Sequence, residues 1–156
     1  MNYPPPIIAG LFVLEFAHAD DTVVFNQRKT LNVGGEWLGR VPNLAICQPF
    51  DTQEYMVQHC SEEWEPLGIV AGYKSVTEAK DSTERSYNGI SEKWNLTNYN
   101  IEEEKLRYEA ELRSSSCSFC GRTILQITAM VGEEVRICNH CIEKFHGAIH
   151  QNDGET

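Results

Sequence analysis

Short apolar stretches separated by turn residues follow one another through the first half of the chain, with no helix-length segment between them. Their positions predict strands over residues 11–17, 21–25, 43–47, 54–60 and 65–73. Gly34 and Gly35 predict a hairpin within residues 31–41, because a two-residue hairpin turn needs positive φ, which glycine adopts without strain. Strands this close together leave no room for helical crossovers, so we expect an antiparallel meander.

The spacing of apolar positions becomes helical after residue 74. Ser75 with Glu78 is a capping box, which marks a helix start, and Asn88-Gly89 is a typical C-terminal stop. The apolar face of this helix would be formed by Val76, Ala79, Thr83 and Tyr87. We expect the helix to pack on one face of the meander.

The three tryptophans are the natural large anchors of such a core. They are Trp37, Trp64 and Trp94, and a surface role for one of them stays open. A second helix is predicted over residues 101–113, where glutamate precedes arginine by four positions in two pairs. Its apolar stripe is weak, so we interpret it as a polar connector that ends at the three serines of 114–116.

Four of the six cysteines form two C-x2-C pairs separated by seventeen residues, a spacing typical of four-cysteine zinc sites. These cysteines are Cys117, Cys120, Cys138 and Cys141. Phe119 and Gly121 bracket the second cysteine as in a zinc knuckle. Alternating residues on both sides of Val131-Gly132 predict a hairpin, and the second pair lies at a predicted helix start. Two disulfides or a redox pair are the alternatives to zinc.

Four thiolates would close the zinc shell, whereas a catalytic zinc keeps a position open for water. No H-x-E motif accompanies the pairs, so a deaminase-like site is not expected. We therefore predict one structural Zn2+ per chain. His140, His146 and His150 lie near the last two cysteines, and one of them could replace or support a ligand.

The stretch "CSFCGRT…VRICNHCIEKF" resembles the N-terminal zinc-binding domain of the ClpX unfoldase over about residues 115–150. The resemblance implies that the four cysteines bind zinc and that the finger binds no ATP. It also implies a finger that dimerises and captures adaptors and substrates. The acidic pair of the family between the last two cysteines is Asn139-His140 here, and the finger is C-terminal with no phosphate-binding loop, so the protein is not an unfoldase.

The predicted fold class is α+β: an antiparallel β meander with one packed helix, then a polar connector helix and a C-terminal treble-clef-like zinc finger. The predicted divisions are residues 1–100, 101–116, 117–150 and a frayed tail over 151–156. No positively charged segment precedes the apolar run of residues 7–16, and that run is too short to cross a bilayer. We expect a cytoplasmic protein without a membrane anchor, where cysteines stay reduced.

The net charge is -10, from 13 basic and 23 acidic residues. Such a chain repels nucleic acid and attracts basic partners, although solubility alone could also explain the charge. Cys47 and Cys60 are expected as small buried hydrophobes, and His59 lies next to Cys60 on a strand, so the two side chains point to opposite faces. His18 with Asp20 and Asp21 could bind a metal, but a polar turn is the better interpretation.

These features favour a protein that binds a protein partner and is not an enzyme. We predict either an immunity-type inhibitor of a basic toxin or an adaptor; a nucleic-acid-binding regulator is the alternative, and an enzyme with its site in residues 1–100 is a third hypothesis. The candidate partner surface comprises Glu62, Glu63, Trp64 and Glu65. Ile142, Phe145 and Ile149 share one helix face that a small finger cannot cover, so it packs on the body, on the connector or, as we predict, in a homodimer.

Overall fold

The computed structural model of the chain describes residues 2–27, 31–123 and 126–151. The chain divides into two compact units, Met1–Glu104 and Lys105–Thr156. The first unit is built on an antiparallel sheet and the second carries the four clustered cysteines, so the mixed α and β character predicted from the sequence is confirmed.

The main sheet of the first unit contains strands from both ends of the unit. In chain order the twelve strands of the described residues begin with β1 (Ile7–Ile8), β2 (Leu11–His18), β3 (Val24–Phe25), β4 (Asn32–Val33), β5 (Glu36–Trp37), β6 (Asn43–Gln48), β7 (Tyr55–Cys60) and β8 (Pro66–Tyr73). They continue with β9 (Tyr87–Asn88), β10 (Asn95–Leu96), β11 (Met130–Val131) and β12 (Ile137–Cys138). The main sheet has the order β1-β2-β6-β7-β8, with β10 also pairing with β2, and all these pairs are antiparallel. The predicted meander over residues 43–73 is therefore confirmed.

The central strands of this sheet are buried on both faces. One face carries a cluster that includes Leu44, Ile46 and Val57, with Ala79 from the helix above it. The other face carries a second cluster that includes Val13, Phe16 and Trp64. Central strands covered on both sides become nearly continuous in apolar residues, which explains the run "NLAIC" in β6.

The outer edge of β2 is closed by two short strands. β1 pairs with its first half, at Ile7 with Phe12, and β10 pairs with its second half, at Asn95 with Phe16. Hydrogen bonds extend this closure beyond β10, because the Thr97 N–H donates to the Leu14 carbonyl at 2.9 Å. Further along, the Tyr99 hydroxyl donates to the Pro4 carbonyl at 2.5 Å. Residues 95–99 thus tie the start of the first unit to its end.

Helix α1 (Val76–Glu84) begins as predicted, because the Glu78 N–H donates to Ser75 Oγ at 3.1 Å. The predicted stop at Asn88-Gly89 is wrong: the helix ends at Glu84, and Tyr87–Asn88 forms β9. The physical reason is that β9 pairs with β3 and the Tyr87 ring enters the core, which a continued helix would prevent. Gly89, at φ +92°, instead begins a 3-10 helix over Ile90–Lys93.

Two other predictions about the first unit need correction. Only Val24–Phe25 of the predicted strand 21–25 is extended, because the Asp20 carboxylate accepts hydrogen bonds from Thr22 and holds a turn there. Trp64 is buried and Trp94 packs against the core, but Trp37, the last residue of β5, is 71% exposed. Trp37 is therefore the surface tryptophan, and the hairpin turn itself is confirmed by positive φ at both glycines.

The second unit contains most of helix α2 (Ile101–Ser114), the β11–β12 hairpin and helix α3 (Asn139–Gln151). α2 has no buried residue, which agrees with the weak apolar stripe in its sequence. On its surface, Arg113 forms a salt bridge with Glu109 at 3.3 Å. The predicted frayed tail begins at residue 151, but Gln151 is the last residue of α3, and the rest of that tail, residues 152–156, lies outside the described residues. Within the described ranges, none of the helices combines the length and apolar character that a bilayer crossing requires.

Candidate metal centre

The first cysteine pair lies in a tight turn that directly follows α2. The Gly121 N–H donates to the Cys117 carbonyl at 2.9 Å, and the Cys117 N–H donates to the Arg122 carbonyl at 2.9 Å. Gly121 has φ +70°, a conformation that residues with a Cβ rarely adopt. The glycine after Cys120 therefore lets the chain reverse while both sulfurs stay on the same side of the turn.

The second pair is delivered by the hairpin and the helix that follows it. Cys138 is the last residue of β12 and Cys141 lies in the first turn of α3. The hairpin is shorter than its alternating sequence indicates, since β11 and β12 have two residues each and a loop over 132–136 joins them. Residues 124 and 125 of the predicted first strand lie outside the described residues.

Two residues that the sequence did not single out hold the pairs together. Ser118 exchanges hydrogen bonds with Arg136: its N–H donates to the Arg136 carbonyl at 2.8 Å, and its Oγ accepts the Arg136 N–H at 2.9 Å. Asn139 Oδ1 accepts backbone N–H groups from Thr128 at 3.3 Å and Ala129 at 3.4 Å. The local sequence signal for these hydrogen bonds was only that a short polar residue directly follows Cys117 and another directly follows Cys138.

The four sulfurs form one compact cluster, with all Sγ atoms within 4.8 Å of one another. Cys117 and Cys141 are 3.9 Å apart at sulfur, and Cys120 and Cys138 are 3.6 Å apart. A tetrahedron with Zn–S bonds of about 2.3 Å has S···S edges of about 3.8 Å. Bonded disulfide sulfurs are only about 2 Å apart, and the cysteines are free thiols here. The cluster is thus a site for one structural Zn2+, as predicted.

Backbone donors aim at the cluster and favour negative charge on sulfur. Burial raises the pKa of Cys117, but backbone N–H groups of Phe119, Cys120 and Cys138 outweigh it and lower that pKa to about 6. The Cys138 N–H reaches the Cys117 sulfur at 3.4 Å. Burial and the neighbouring sulfurs raise the pKa of Cys141. Four thiolates therefore need a cation at their centre, and a divalent ion supplies it.

The other candidate ligands lie apart from this centre. The metal-binding group found among the described residues consists of the four cysteines, without a histidine, and His150 has its side chain outside the described part. His18 Nδ1 lies 2.6 Å from Asn43 Oδ1, and Asp20 binds Thr22 and Lys93. His18 therefore ends β2, and Asp20 and Asp21 lie in the polar turn that follows it.

Cys47 and Cys60 are fully buried, as predicted for small apolar residues. Burial raises the pKa of Cys60 to about 12 and that of Cys47 further, so both thiols stay protonated. His59 lies on the opposite face of the sheet, against Tyr87, whereas both cysteines belong to the cluster around Trp64. This arrangement does not build a cysteine–histidine pair.

The apolar face of α3 is open to solvent within the second unit. Ile142, Phe145 and Ile149 are 42%, 44% and 64% exposed. Phe119 of the knuckle joins them, because its ring meets Phe145 edge-on at 5.5 Å between ring centroids. We call these four residues the finger face. Its members contribute little to the buried cluster of the finger, which is formed by three of the cysteines.

The proposed partner surface lies on the turn between β7 and β8. Glu62, Glu63 and Glu65 are exposed, whereas Trp64 is 3% exposed and donates from Nε1 to the Asn2 carbonyl at 3.2 Å. Trp64 has φ +66°, and Ser61 Oγ accepts the N–H groups of the residues on either side of it. The indole is a core anchor that fixes the acidic turn, and the role of the turn in partner binding stays a prediction.

Residues 115–151 match the family model of the ClpX C4-type zinc finger, which confirms the resemblance seen in the sequence over about a quarter of the chain. No curated protein matches the chain, and no solved structure matches it.

Proposed function

We propose that this chain is a non-enzymatic protein-binding protein whose finger is held in shape by zinc and presents an apolar docking surface. The observation that carries the proposal is the finger face, where Phe119, Ile142, Phe145 and Ile149 are all 42% exposed or more. A contiguous patch of exposed apolar residues marks an interaction site, whereas single exposed apolar residues are normal on any surface. The zinc positions this face, because Cys141 lies one turn before Phe145 on the same helix.

The chemistry of the cysteines supports binding rather than catalysis. A tetrahedral zinc shell takes all four thiols of the centre, so no coordination position of the zinc is left open for a reacting water. The two remaining cysteines are buried with raised pKa values, so neither is an activated nucleophile.

We further propose that the partner is a basic protein and that the chain acts as an immunity-type inhibitor of a basic toxin, with an adaptor role as the second form. A net charge of -10, made more negative by four thiolates around one Zn2+, speeds association with a cation. Glu62, Glu63 and Glu65 offer three exposed carboxylates on one turn. An acidic inhibitor of this kind would also compete with the nucleic acid that such a toxin binds.

Nucleic-acid binding by the finger is the less favoured alternative. The finger carries Arg122, Arg136 and Lys144, but Glu133, Glu134 and Glu143 balance them. Phosphate backbones are bound by clustered positive charge, so a finger without a basic excess has little basis for affinity.

The test is comparative affinity capture in the native host. The wild-type chain should enrich a basic protein, and the Glu62→Lys, Glu63→Lys double variant should enrich about tenfold less of it at low salt. The matched control is Glu102→Lys, Glu103→Lys, which makes the same charge change at two exposed positions of α2. Equal capture by all three chains would contradict a role for the acidic turn.

The predicted homodimer through the finger face is tested separately by light scattering. A dimer mass that Phe145→Asp converts to a monomer mass would support it. A monomer mass at high micromolar concentration would reject it and leave the finger face for another protein.

A further inference from the structure

We propose that the free edge of β8 is the docking site for an extended, basic segment of the partner protein, which adds to the main sheet as a further strand. The inference rests on the proposed function and specifies where and how the partner binds. It concerns Pro66–Tyr73 of the first unit and is independent of the finger face.

The two edges of the main sheet differ. β2 is closed along its outer side by β1 and β10, whereas β8, in the part of the chain that the structure describes, pairs on one side only, with β7. β8 is as long as β2, at eight residues each. A strand of this length at an edge presents a row of backbone N–H and C=O groups to which another chain can hydrogen-bond.

β8 carries one of the usual protections against such pairing, because its register against β7 shifts at two places and each shift leaves an extra residue on β8, but it lacks the others. Edge strands commonly carry lysine, an inward-pointing charge or an internal proline, all of which discourage a second strand. The sequence "PLGIVAGY" contains no charged residue, and its proline is at the first position, where it does not interrupt the strand. The regular stretch between the two shifts, residues 68–70, is therefore an uncharged edge to which a partner strand can pair.

A groove beside this edge can take the side chains of an added strand. Leu67 and Ile69 are 40% and 45% exposed on the face that also carries Leu11 and Met56. Together with neighbouring residues they line an apolar groove of about 420 Å3. On the other face, the β4–β5 hairpin packs over Gly68, with Leu38 within 3.1 Å of where a Cβ would lie, so the open apolar surface is on the groove side.

The charges around β8 select the partner. Glu65 directly precedes the strand on the acidic turn that also carries Glu62 and Glu63, and Glu54 lies beside Gly72 near the other end. Lys74 is the one basic residue adjacent to the strand in sequence. A second copy of a chain with net charge -10 would bring like charges together, whereas a basic segment with alternating apolar residues complements both the groove and its ends.

The test uses a synthetic probe, an acetylated and amidated ten-residue peptide in which lysine and valine alternate. Its control replaces each valine with proline, which keeps the charge and prevents strand formation. Binding is followed by NMR titration at low salt, and amide hydrogen exchange is measured across residues 66–73. We expect the alternating peptide to bind and to slow exchange in β8, and the proline peptide to do neither.

Two variants separate strand addition from charge attraction. Ile69→Asp adds a negative charge, so simple electrostatics would tighten binding of a cationic peptide. Loss of the apolar contact should instead weaken binding about tenfold. Leu106→Asp is the matched control on exposed α2 and should change binding less than about twofold. Leu67→Asp repeats the test should Ile69→Asp fail to fold, as judged by near-ultraviolet circular dichroism.

Each remaining outcome overturns the inference in a distinguishable way. Tighter binding by Ile69→Asp, or equal binding of the proline peptide, would reduce the site to charge attraction and leave the proposed acidic partner surface standing. The site would also be reduced to charge attraction if the Glu62→Lys, Glu63→Lys variant lost binding and the peptide left amide exchange in β8 of the wild-type chain unchanged. No binding at millimolar peptide would reject strand addition, while the capture experiment still decides the proposed function. A dimer in solution that Ile69→Asp dissociates would assign the edge to a second copy.

Discussion

Removal of the zinc should unfold the finger and leave the sheet of the first unit intact. Two perturbations achieve this: chelation of the metal, and substitution of one ligand by Cys120→Ser. Cys120 is the right ligand to replace because its sulfur lies in the one exposed residue of the four, so the substitution removes a metal bond with little loss of packing. The three other cysteines form the buried cluster of the finger, and replacing them would confound the two effects.

The magnitude follows from how few buried residues, among those of the finger that the structure describes, hold it together. Its buried cluster consists of Cys117, Cys138 and Cys141, with Ile127 and Ile137 packed against it. A structural zinc contributes about 10–16 kcal/mol of apparent binding free energy, which exceeds the stability of most small domains. The core clusters of the first unit contain none of these residues, so its free energy of unfolding should change by less than about 0.5 kcal/mol.

The chain contains its own reporters for the two units. All three tryptophans lie in the first unit, so tryptophan fluorescence follows the sheet alone, whereas far-ultraviolet circular dichroism also records the 13 residues of α3. A thiol reagent then counts cysteines. Chelation should expose four thiols at once, and the two buried in the sheet should react only after denaturant is added. Zinc content before chelation should be one per chain.

Cys47→Ala is the matched control, because it removes a cysteine that is not a ligand and should keep one zinc and the exposure of four thiols on chelation. Simultaneous reaction of all six thiols on chelation would refute the independence of the two units. A shift of tryptophan emission by chelation alone would have the same meaning. Four reactive thiols before any chelator is added would refute the zinc site itself.

Three further predictions concern the first unit and are measured by urea unfolding. Burial lowers the pKa of His59 to about 4 from its usual 6.5, so the unfolded chain binds more protons than the folded chain between these pH values. The free energy of unfolding should therefore fall by about 2 kcal/mol from pH 7 to pH 5. His59→Gln should remove this pH dependence. Trp64→Ala should cost about 3–5 kcal/mol and Trp37→Ala less than about 0.5 kcal/mol, so equal costs would contradict their different burial. Ser75→Ala should cost about 1 kcal/mol through the lost cap of α1, and an unchanged midpoint would show that the cap is dispensable.

The features that the sequence predicts well are those decided by neighbours in the chain. The four zinc ligands follow from two short spacings, the β4–β5 hairpin from two glycines, and the start of α1 from Ser75 and Glu78. The meander of β6, β7 and β8 is also local, because each strand pairs with the next one along the chain.

The features that the sequence missed depend on distant partners. β10 has only two residues and acquires its strand geometry from β2, which is almost eighty residues away. The end of α1 is set by the pairing of β9 with β3 rather than by Asn88-Gly89. Trp37 and Trp64 each follow a glutamate, so local sequence cannot tell the exposed indole from the buried one.

The closure of β2 by residues 95–99 fixes the order in which the protein matures on the ribosome. β2 is synthesised early, but the second half of its outer edge waits for Asn95, Leu96 and Thr97, which at about 5–20 residues per second follow roughly 4–16 s later. The nascent sheet therefore leaves the exit tunnel with one side still unsealed, a period in which a chaperone can hold it. Cys141 emerges later still, so the finger can bind its metal only after the sheet is able to close.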